Sequence, residues 1–278
     1  MRVSSDVPDD VIVLHDALET LQKSKIENHK SPIVLHLKNC GTALRFLQVH
    51  LAKCYPGEPI TLTGDPRLME RDGKPTSQTH SALLMHGVEV DDDSPYVQMT
   101  RRVIAAYPNV PLETCWSSAA FWYEYVAIHG GELTLEGLTK DSLQGDRIVA
   151  DIYAKYFGVQ TTFTSEGAKI VQTSLLPSFV HRTSVPRTLT IDFINCPDLY
   201  PAVALTCERL GITLQATGIE RLRFKESDRI EAVQKHEVRN DHRMAMALMC
   251  ADYPVSEEEQ ACIAKSYPTF VEQFTHCL

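Results

Sequence analysis

The stretch NCGTALRFLQVHLAKCYPGEPITLTG, residues 39–64, decides how this chain is read. It opens on small and polar residues, continues as a short apolar helix, and reaches a glycine before a strand. Four later stretches repeat that organisation: TSQTHSALLMHGVEV from Thr76, CWSSAAFWYEYVAIHGGELTLEG from Cys115, CPDLYPAVALTCERLGITLQATG from Cys196 and DHRMAMALMCADYPV from Asp241. Their helices read as apolar nearly all round, as in Phe121, Trp122, Tyr125, Val126 and Ile128, and are expected to be buried. A more amphipathic kind of segment alternates with them: DDVIVLHDALETL from Asp9, RRVIAAY from Arg101, GDRIVADIYAKYFG from Gly145, SDRIEAV from Ser227 and YPTFVEQF from Tyr267. Between the helices lie β-branched stretches with turn residues, such as TLTIDFI and VQTTFTSEGAKIVQT.

The expected architecture is therefore α/β, built from copies of a two-helix, several-strand unit. The alternation begins with the amphipathic kind of segment, so a first buried helix is expected ahead of Met1. RDGKPTSQ and AVQKHEVRNDHR leave too little chain for the strands that other units carry. The N-terminal segment and some loops are thus expected to be absent from these 278 residues.

Composition sets outer bounds. Apolar content of 44% and charged content of 23% are those of a globular protein with a sizeable core. No apolar run reaches the ~20 residues of a membrane span, and MRVSSDVPDD has neither the basic nor the apolar region of a signal peptide. Eight cysteines form no C-x-x-C pair, and Cys40, Cys115, Cys196, Cys207, Cys250 and Cys262 fall in or beside apolar segments. Free thiols in a reducing, cytoplasmic compartment are the expectation. The eleven histidines lack H-x-x-x-H spacing, so no metal is expected. A net charge of −9 argues against nucleic acid as a partner, while leaving room for small anions in a locally basic cleft.

The buried helices begin G-T, S-Q, S-S, P-D and D-H-R, and helix N-termini favour anions. Taken singly, Ser, Thr and Asp there are ordinary caps, and Asp198 fits one well because Pro201 is tolerated in a first turn. Basic residues add to the pattern: Arg67 and Arg71 after a strand, Lys225 and Arg229 in RFKESDRIEA (223–232), Arg243 at the edge of an apolar run, and Lys265 in CIAKSYP. If RFKESDRIEA begins a helix, Lys225 and Arg229 sit four apart on one face and repel each other, so something negative must lie between them. Glu226 or Asp228 could serve, on a solvated face; an anionic ligand could serve as well.

NCGTALRFL, LTGDPRLMER, SQTHSALLM, CPD, RFKESDR, NDHRMAM and AKSYPTF occur in one order, and together they resemble the signature segments of the 5-enolpyruvylshikimate-3-phosphate (EPSP) synthase family. The resemblance runs from about Asp9 to the C-terminus. It implies a two-domain inside-out α/β barrel of repeated βαβαββ units, shared with the UDP-N-acetylglucosamine enolpyruvyl transferases. Residues 1–110 would form the N-terminal domain, on the shikimate phosphate side. Residues 111–278 would form the C-terminal domain, on the phosphoenolpyruvate side, with ligands in the cleft between. The implied reaction moves the carboxyvinyl group of phosphoenolpyruvate to the 5-hydroxyl of shikimate 3-phosphate through a tetrahedral intermediate, in a cytoplasmic monomer, with no cofactor, metal or membrane.

Site residues carry over by motif. Gly41, Arg71, Gln78, Arg229, Arg243 and Lys265 look like the phosphoenolpyruvate contacts, and guanidinium forks suit both of its anionic groups. Thr76, Ser77, Ser94, Tyr96, Asp198 and Lys225 look like the shikimate 3-phosphate contacts. Asp198 resembles the general base, Glu226 the acid that exchanges protons at the enolpyruvyl methylene, and Lys265 the residue that assists the leaving phosphate. The sequence departs from the pattern in places. The family's N-terminal Lys-Ser segment is missing, Arg221 replaces an asparagine, Cys40 a small residue and Thr76 a serine. Two alternatives follow: a transferase acting on UDP-N-acetylglucosamine, and a non-catalytic anion-binding relative of the same fold.

Overall fold

A computed structural model describes residues 7–27, 32–70, 76–110, 113–173 and 187–277. The chain divides into two compact units, Met1–Tyr107 with Ile263–Leu278, and Pro108–Cys262. The last sixteen residues, Ile263–Leu278, group with the first unit. One tie is direct: Lys265 Nζ donates to the Asn39 carbonyl at 2.6 Å.

In the first unit, α1 (Asp9–Glu27) starts on Asp9 and Asp10, acids that complement the partial positive charge of a helix start. Val13, Ala17 and Leu21 recur every four residues, which puts them on one stripe, and that stripe enters the core with Leu35, Leu37 and Leu47. Strands β1 (Ile33–His36) and β2 (Ile60–Thr63) pair in parallel, from Ile33 opposite Ile60 to His36 opposite Thr63. Parallel neighbours need a crossover, and α2 (Gly41–Cys54) supplies it. Then come α3 (Pro66–Glu70), α4 (Ser77–Met85) and α5 (Pro95–Ala106). α2 and α4 run side by side in the same direction. Gln78 bonds Thr42 and Arg45 near their N-terminal ends, and His50 meets His86 at the other.

The second unit is built around α6 (Trp116–His129), which is followed by β3 (Glu132–Glu136), a 3-10 turn (Gly145–Ile148) and α7 (Val149–Tyr156). Strands β4 (Val159–Phe163) and β5 (Gly167–Gln172) form a hairpin, and β3 joins it to give an antiparallel sheet in the order β3-β5-β4. β6 (Arg187–Asp192) leads through the 3-10 turn Pro197–Leu199 and α8 (Tyr200–Arg209) to its parallel partner β7 (Ile212–Thr217). The unit closes with α9 (Arg229–Lys235), α10 (His242–Cys250) and α11 (Glu257–Gln260), and the chain's tail adds α12 (Phe270–Cys277) to the first unit.

Two stretches, β1-α2-β2 and β6-α8-β7, share one strand–helix–strand arrangement with parallel strands. Each first strand continues one residue past its end, where Leu37 N–H donates to the Thr63 carbonyl and Phe193 N–H to the Thr217 carbonyl. An Asn-Cys pair then turns the chain, with Cys40 N–H bonded to the Leu37 carbonyl and Cys196 N–H to the Phe193 carbonyl. Each second strand stops at Thr-Gly. At Gly218 the reason is plain: φ is +69°, and a Cβ there would lie 2.5 Å from the Ile194 nitrogen.

Expected burial needs one correction. α6 and α10 are buried nearly all round, Arg243 being the one exception in α10. α2 buries only Gly41, Ala43, Leu44 and Leu47, and α4 only Ser81, Ala82 and Leu84. Polar residues such as Gln48 and Lys53 on the outer face of α2 reach solvent, so these two helices are one-sided. No helix among the described residues is long and apolar enough to cross a membrane.

Inside α6, Glu124 is fully buried, and neither carboxylate oxygen has a hydrogen-bond partner among the described residues. Burial holds its pKa well above the ordinary carboxylate value. A raised folded pKa means that stability is intact below the unfolded pKa and is lost as pH rises through the folded one. Glu124→Met should therefore raise the thermal midpoint at pH 8, by the several degrees that about 1–3 kcal/mol of relieved burial is worth. The gain should shrink at pH 5. An equal or lower midpoint at pH 8 would show that the buried carboxyl carries no penalty.

Candidate active site

The charged run at 223–232 is not one helix. After the 3-10 turn Glu220–Phe224, Lys225 is extended, and Asp228 caps α9 by accepting from Ile230 N–H at 3.1 Å and Glu231 N–H at 3.2 Å. Aspartate's preference for the N-cap starts the helix at Arg229, so the expectation that Lys225 and Arg229 share a helix face is corrected. They converge all the same. Lys225 Nζ lies 3.4 Å from Asp198 Oδ1, Arg229 Nη1 donates to that same oxygen at 2.7 Å, and Arg243 Nη2 lies 3.2 Å from Asp198 Oδ2. The negative group between the two cations is Asp198. It arrives on the turn ahead of α8 and caps nothing, since Leu199 is the N-cap and makes no side-chain cap bond.

Arg229 is 1% exposed. Besides Asp198 it bonds Glu226 through Nη2 at 2.8 Å and Asp241 through Nε at 2.7 Å and Nη2 at 3.2 Å. Its guanidinium thus faces three carboxylates and holds them together, whereas the sequence reading had it facing an anion. Desolvation would lower its pKa, and Asp241, Glu226 and Asp198 raise it further, so it is always charged. Asp241 is fully buried; it also accepts from Ser227 Oγ at 3.0 Å and caps α10 through Arg243 N–H at 3.0 Å. Burial would push the Asp198 carboxyl up, but Arg243, Lys225 and Arg229 hold it far below the usual range.

Asp146 completes the cluster from the turn ahead of α7. It accepts from Ser117 Oγ at the start of α6, and burial, followed by the charge of Asp198, lifts its pKa to about 6. His242 is buried beside these groups, and its Nδ1 has no hydrogen-bond partner among the described residues. Burial, then Arg243, pushes its pKa down to about 3, so the imidazole is neutral. Sequence reasoning named Asp198, Lys225, Glu226, Arg229 and Arg243. It missed Asp146, Ser117, Ser227, Asp241 and His242. Asp241 had a legible signal, an aspartate directly before a buried helix, but Asp146 looked like an ordinary amphipathic segment.

In the first unit, a second set of candidates gathers where α2 and α4 begin. Gly41 is the first residue of α2, after Cys40, whose Sγ accepts from Ala43 N–H at 3.3 Å. Burial pushes the Cys40 thiol up to about 12, so it stays protonated. Gln78 is tied to α2: its Oε1 accepts from Arg45 Nη1 at 2.9 Å and its Nε2 donates to Thr42 Oγ1 at 2.9 Å. Thr76 caps α4 in a capping box with Thr79, and Ser77 is the first helical residue. Lys265, mostly buried, donates to the Asn39 carbonyl just before α2 and lies 3.9 Å from Asp10 Oδ1. Ser94 precedes α5 and donates its backbone N–H to Asp92 Oδ1 at 2.8 Å, and Tyr96 stands in the first turn of α5. Arg71 lies outside the described residues.

A protein-family model described as EPSP synthase (3-phosphoshikimate 1-carboxyvinyltransferase) matches residues 104–239. That span includes Asp146, Asp198, Lys225, Glu226 and Arg229. Among curated proteins, a 3-phosphoshikimate 1-carboxyvinyltransferase of Bacteroides fragilis is 30% identical over 194 residues, covering 57% of this chain and 45% of that one. Proteins of the same name from Methanosphaerula palustris and Brachyspira hyodysenteriae are each 25% identical, covering 85% and 95% of this chain and 78% and 83% of theirs. The match thus spans about half the length of the Bacteroides relatives. The Brachyspira alignment runs over 366 positions, longer than the 278-residue chain, so that relative carries residues opposite gaps in this one.

Proposed function

We propose, from the match of residues 104–239 to the EPSP synthase family model, that this chain belongs to that family and transfers the carboxyvinyl group of phosphoenolpyruvate to the 5-hydroxyl of shikimate 3-phosphate, releasing phosphate. The observation that carries the reading is Asp198. One carboxylate is gathered by Lys225, Arg229 and Arg243, with Glu226 on the same guanidinium. A binding module for anions gains nothing from setting carboxylates among its cations; an acid–base site does.

In this reading Lys225 holds shikimate 3-phosphate, and Arg243 pairs with an anionic group of phosphoenolpyruvate. Asp198 takes the proton of the 5-hydroxyl as its oxygen bonds to C2 of phosphoenolpyruvate, and Glu226 delivers a proton to C3, making a methyl group. The C2–O bond to phosphate then breaks, the methyl returns a proton to Glu226, and the phosphate departs with Lys265 offsetting its charge. The proton on Asp198 leaves with the products.

Asp198 with three cations around it is a weak base. When substrate anions draw Lys225 and Arg243 to themselves, its pKa rises and its base strength is restored. Gly41, Gln78, Thr76, Ser77, Ser94, Tyr96 and Arg71 keep the anion-binding roles that their motifs imply, and Arg229 acts by holding Asp198 and Glu226. Inside-out barrels of βαβαββ units belong to the same proposal, supported by the two strand–helix–strand copies, and so does a cytoplasmic monomer, on the family resemblance alone.

Phosphate release from the expressed protein, given both substrates and then each alone, tests the function. Release that requires both is the expected result. Release with UDP-N-acetylglucosamine in place of shikimate 3-phosphate would favour the other transferase, and none with either acceptor the non-catalytic relative. In the same assay Arg243→Ala should weaken phosphoenolpyruvate binding at least tenfold, about 1.4 kcal/mol. An unchanged KM would remove Arg243 from the site.

A further inference from the structure

We infer that His50, Cys54 and His86 form a binding site for a divalent transition-metal ion, zinc first, at the C-terminal ends of α2 and α4. The sequence has no H-x-x-x-H, but α2 carries H-x-x-x-C, and the i, i+4 spacing places His50 and Cys54 on one face. The third residue comes from a different helix, so its proximity is invisible in sequence. His86 is the residue that ends α4, and donor atoms of all three side chains lie within 4.8 Å of one another.

Three observations point to a cation. His50 Nδ1 and His86 Nε2 stand 3.4 Å apart. Two nitrogens at 2.0–2.1 Å from a tetrahedral zinc are separated by roughly 3.3–3.4 Å, so the imidazoles already span one edge of such a site. The donor set, two imidazoles and a thiol, is the borderline-soft set that zinc takes and that magnesium and calcium decline. Finally, α2 ends at Cys54 and α4 at Met85, so two parallel helices turn their C-terminal ends, with their partial negative charge, toward this place. Cys54 is exposed and both histidines are partly so, which leaves the fourth position to water. The thiol gives up its proton to solvent as the metal–sulfur bond forms.

The site lies at the far ends of α2 and α4 from Gly41 and Gln78. A bound ion would clamp together the two helices whose N-terminal ends present those residues, and its role is positioning. The competing account of the 3.4 Å separation is a hydrogen bond between two neutral imidazoles, which holds no ion.

Cobalt(II) titration of the chelator-treated full chain separates the two. The expected result is one equivalent bound, with the visible bands of a tetrahedral ion and a near-ultraviolet thiolate-to-metal band. Cys54→Ser should abolish the thiolate band. His86→Ala should weaken zinc binding at least tenfold in competition with a chromophoric chelator, and zinc should raise the thermal midpoint of the wild type but not of the double variant. Both substitutions are at or near the surface, so the fold survives them. Cobalt spectra and zinc affinity unchanged in the double variant would overturn the site, as would no binding tighter than about 10 µM.

Discussion

Replacing Arg229 by leucine should destabilise the second unit by about 3–5 kcal/mol, the usual cost of breaking a buried ion pair from one side. For a unit of this size that lowers the thermal midpoint by about 6–20 °C. The argument rests on what is left behind. Arg229 is 1% exposed and holds Asp241, which is fully buried, together with Asp198 and Glu226. Removing it strands carboxylates that burial already pushes toward protonation. The sign with pH follows. Asp241 has a folded pKa below its ordinary value, so its contribution is present above the unfolded pKa and lost as pH falls through the folded one. Without Arg229 that pKa rises, and the variant's deficit should be larger at pH 7 than at pH 4. Asp241→Asn isolates the cause, because asparagine caps a helix as well as aspartate does while carrying no charge. Combined with Arg229→Leu it should recover at least 1 kcal/mol relative to additivity. A midpoint within 2 °C of wild type for Arg229→Leu would mean that water or rearrangement serves the carboxylates, and that the guanidinium is dispensable to the fold.

Much of this arrangement was legible in the chain. Apolar helices that begin with small or polar residues and pass through glycine into a strand gave the α/β class, and the paired copies beginning at Asn39 and Asn195 share their turns bond for bond. The KESDR and DHRMAM stretches supply the three cations, Lys225, Arg229 and Arg243, that meet at Asp198. Their partners were harder, because Asp198, Asp146 and Asp241 belong to three different segments and nothing local ties them to Arg229. Cap chemistry also misled in both directions. Asp198 reads as a cap and is an ion-pair acceptor, while Asp228 reads as part of a charged helix face and is the cap. Local propensity is weak evidence where a buried charge must be matched from elsewhere. The histidine of α4 that meets α2 was missed for the same reason: adjacency between helices is set by packing, which a single sequence does not display.

Asp198→Asn should lower turnover by about 10²–10⁴-fold, the range that a lost general base commands, without weakening either substrate. The second half of that expectation separates the base from a mere counter-ion. Asp198 is the carboxylate shared by Lys225, Arg229 and Arg243, and asparagine leaves their charges less compensated. Anionic substrates should then bind as well or more tightly, so kcat falls while KM stays or drops. If Asp198 serves only to hold the three side chains in place, binding should suffer along with turnover, since Lys225 and Arg243 would lose the group that aims them. If turnover survives with KM unchanged, neither role stands and the proton of the 5-hydroxyl goes elsewhere. The pH profile adds an independent reading. In the free protein Asp198 is held far below the usual carboxylate range, with burial opposing and Arg243, Lys225 and Arg229 prevailing. Its protonation therefore sets no limb of kcat/KM in the working range, and a limb near pH 6 is assigned to Asp146, whose pKa lies at about 6. That limb should persist in Asp198→Asn and shift to lower pH, because the charge of Asp198 is part of what holds the Asp146 pKa up. A limb that disappears with Asp198 would reverse the assignment of the two carboxylates.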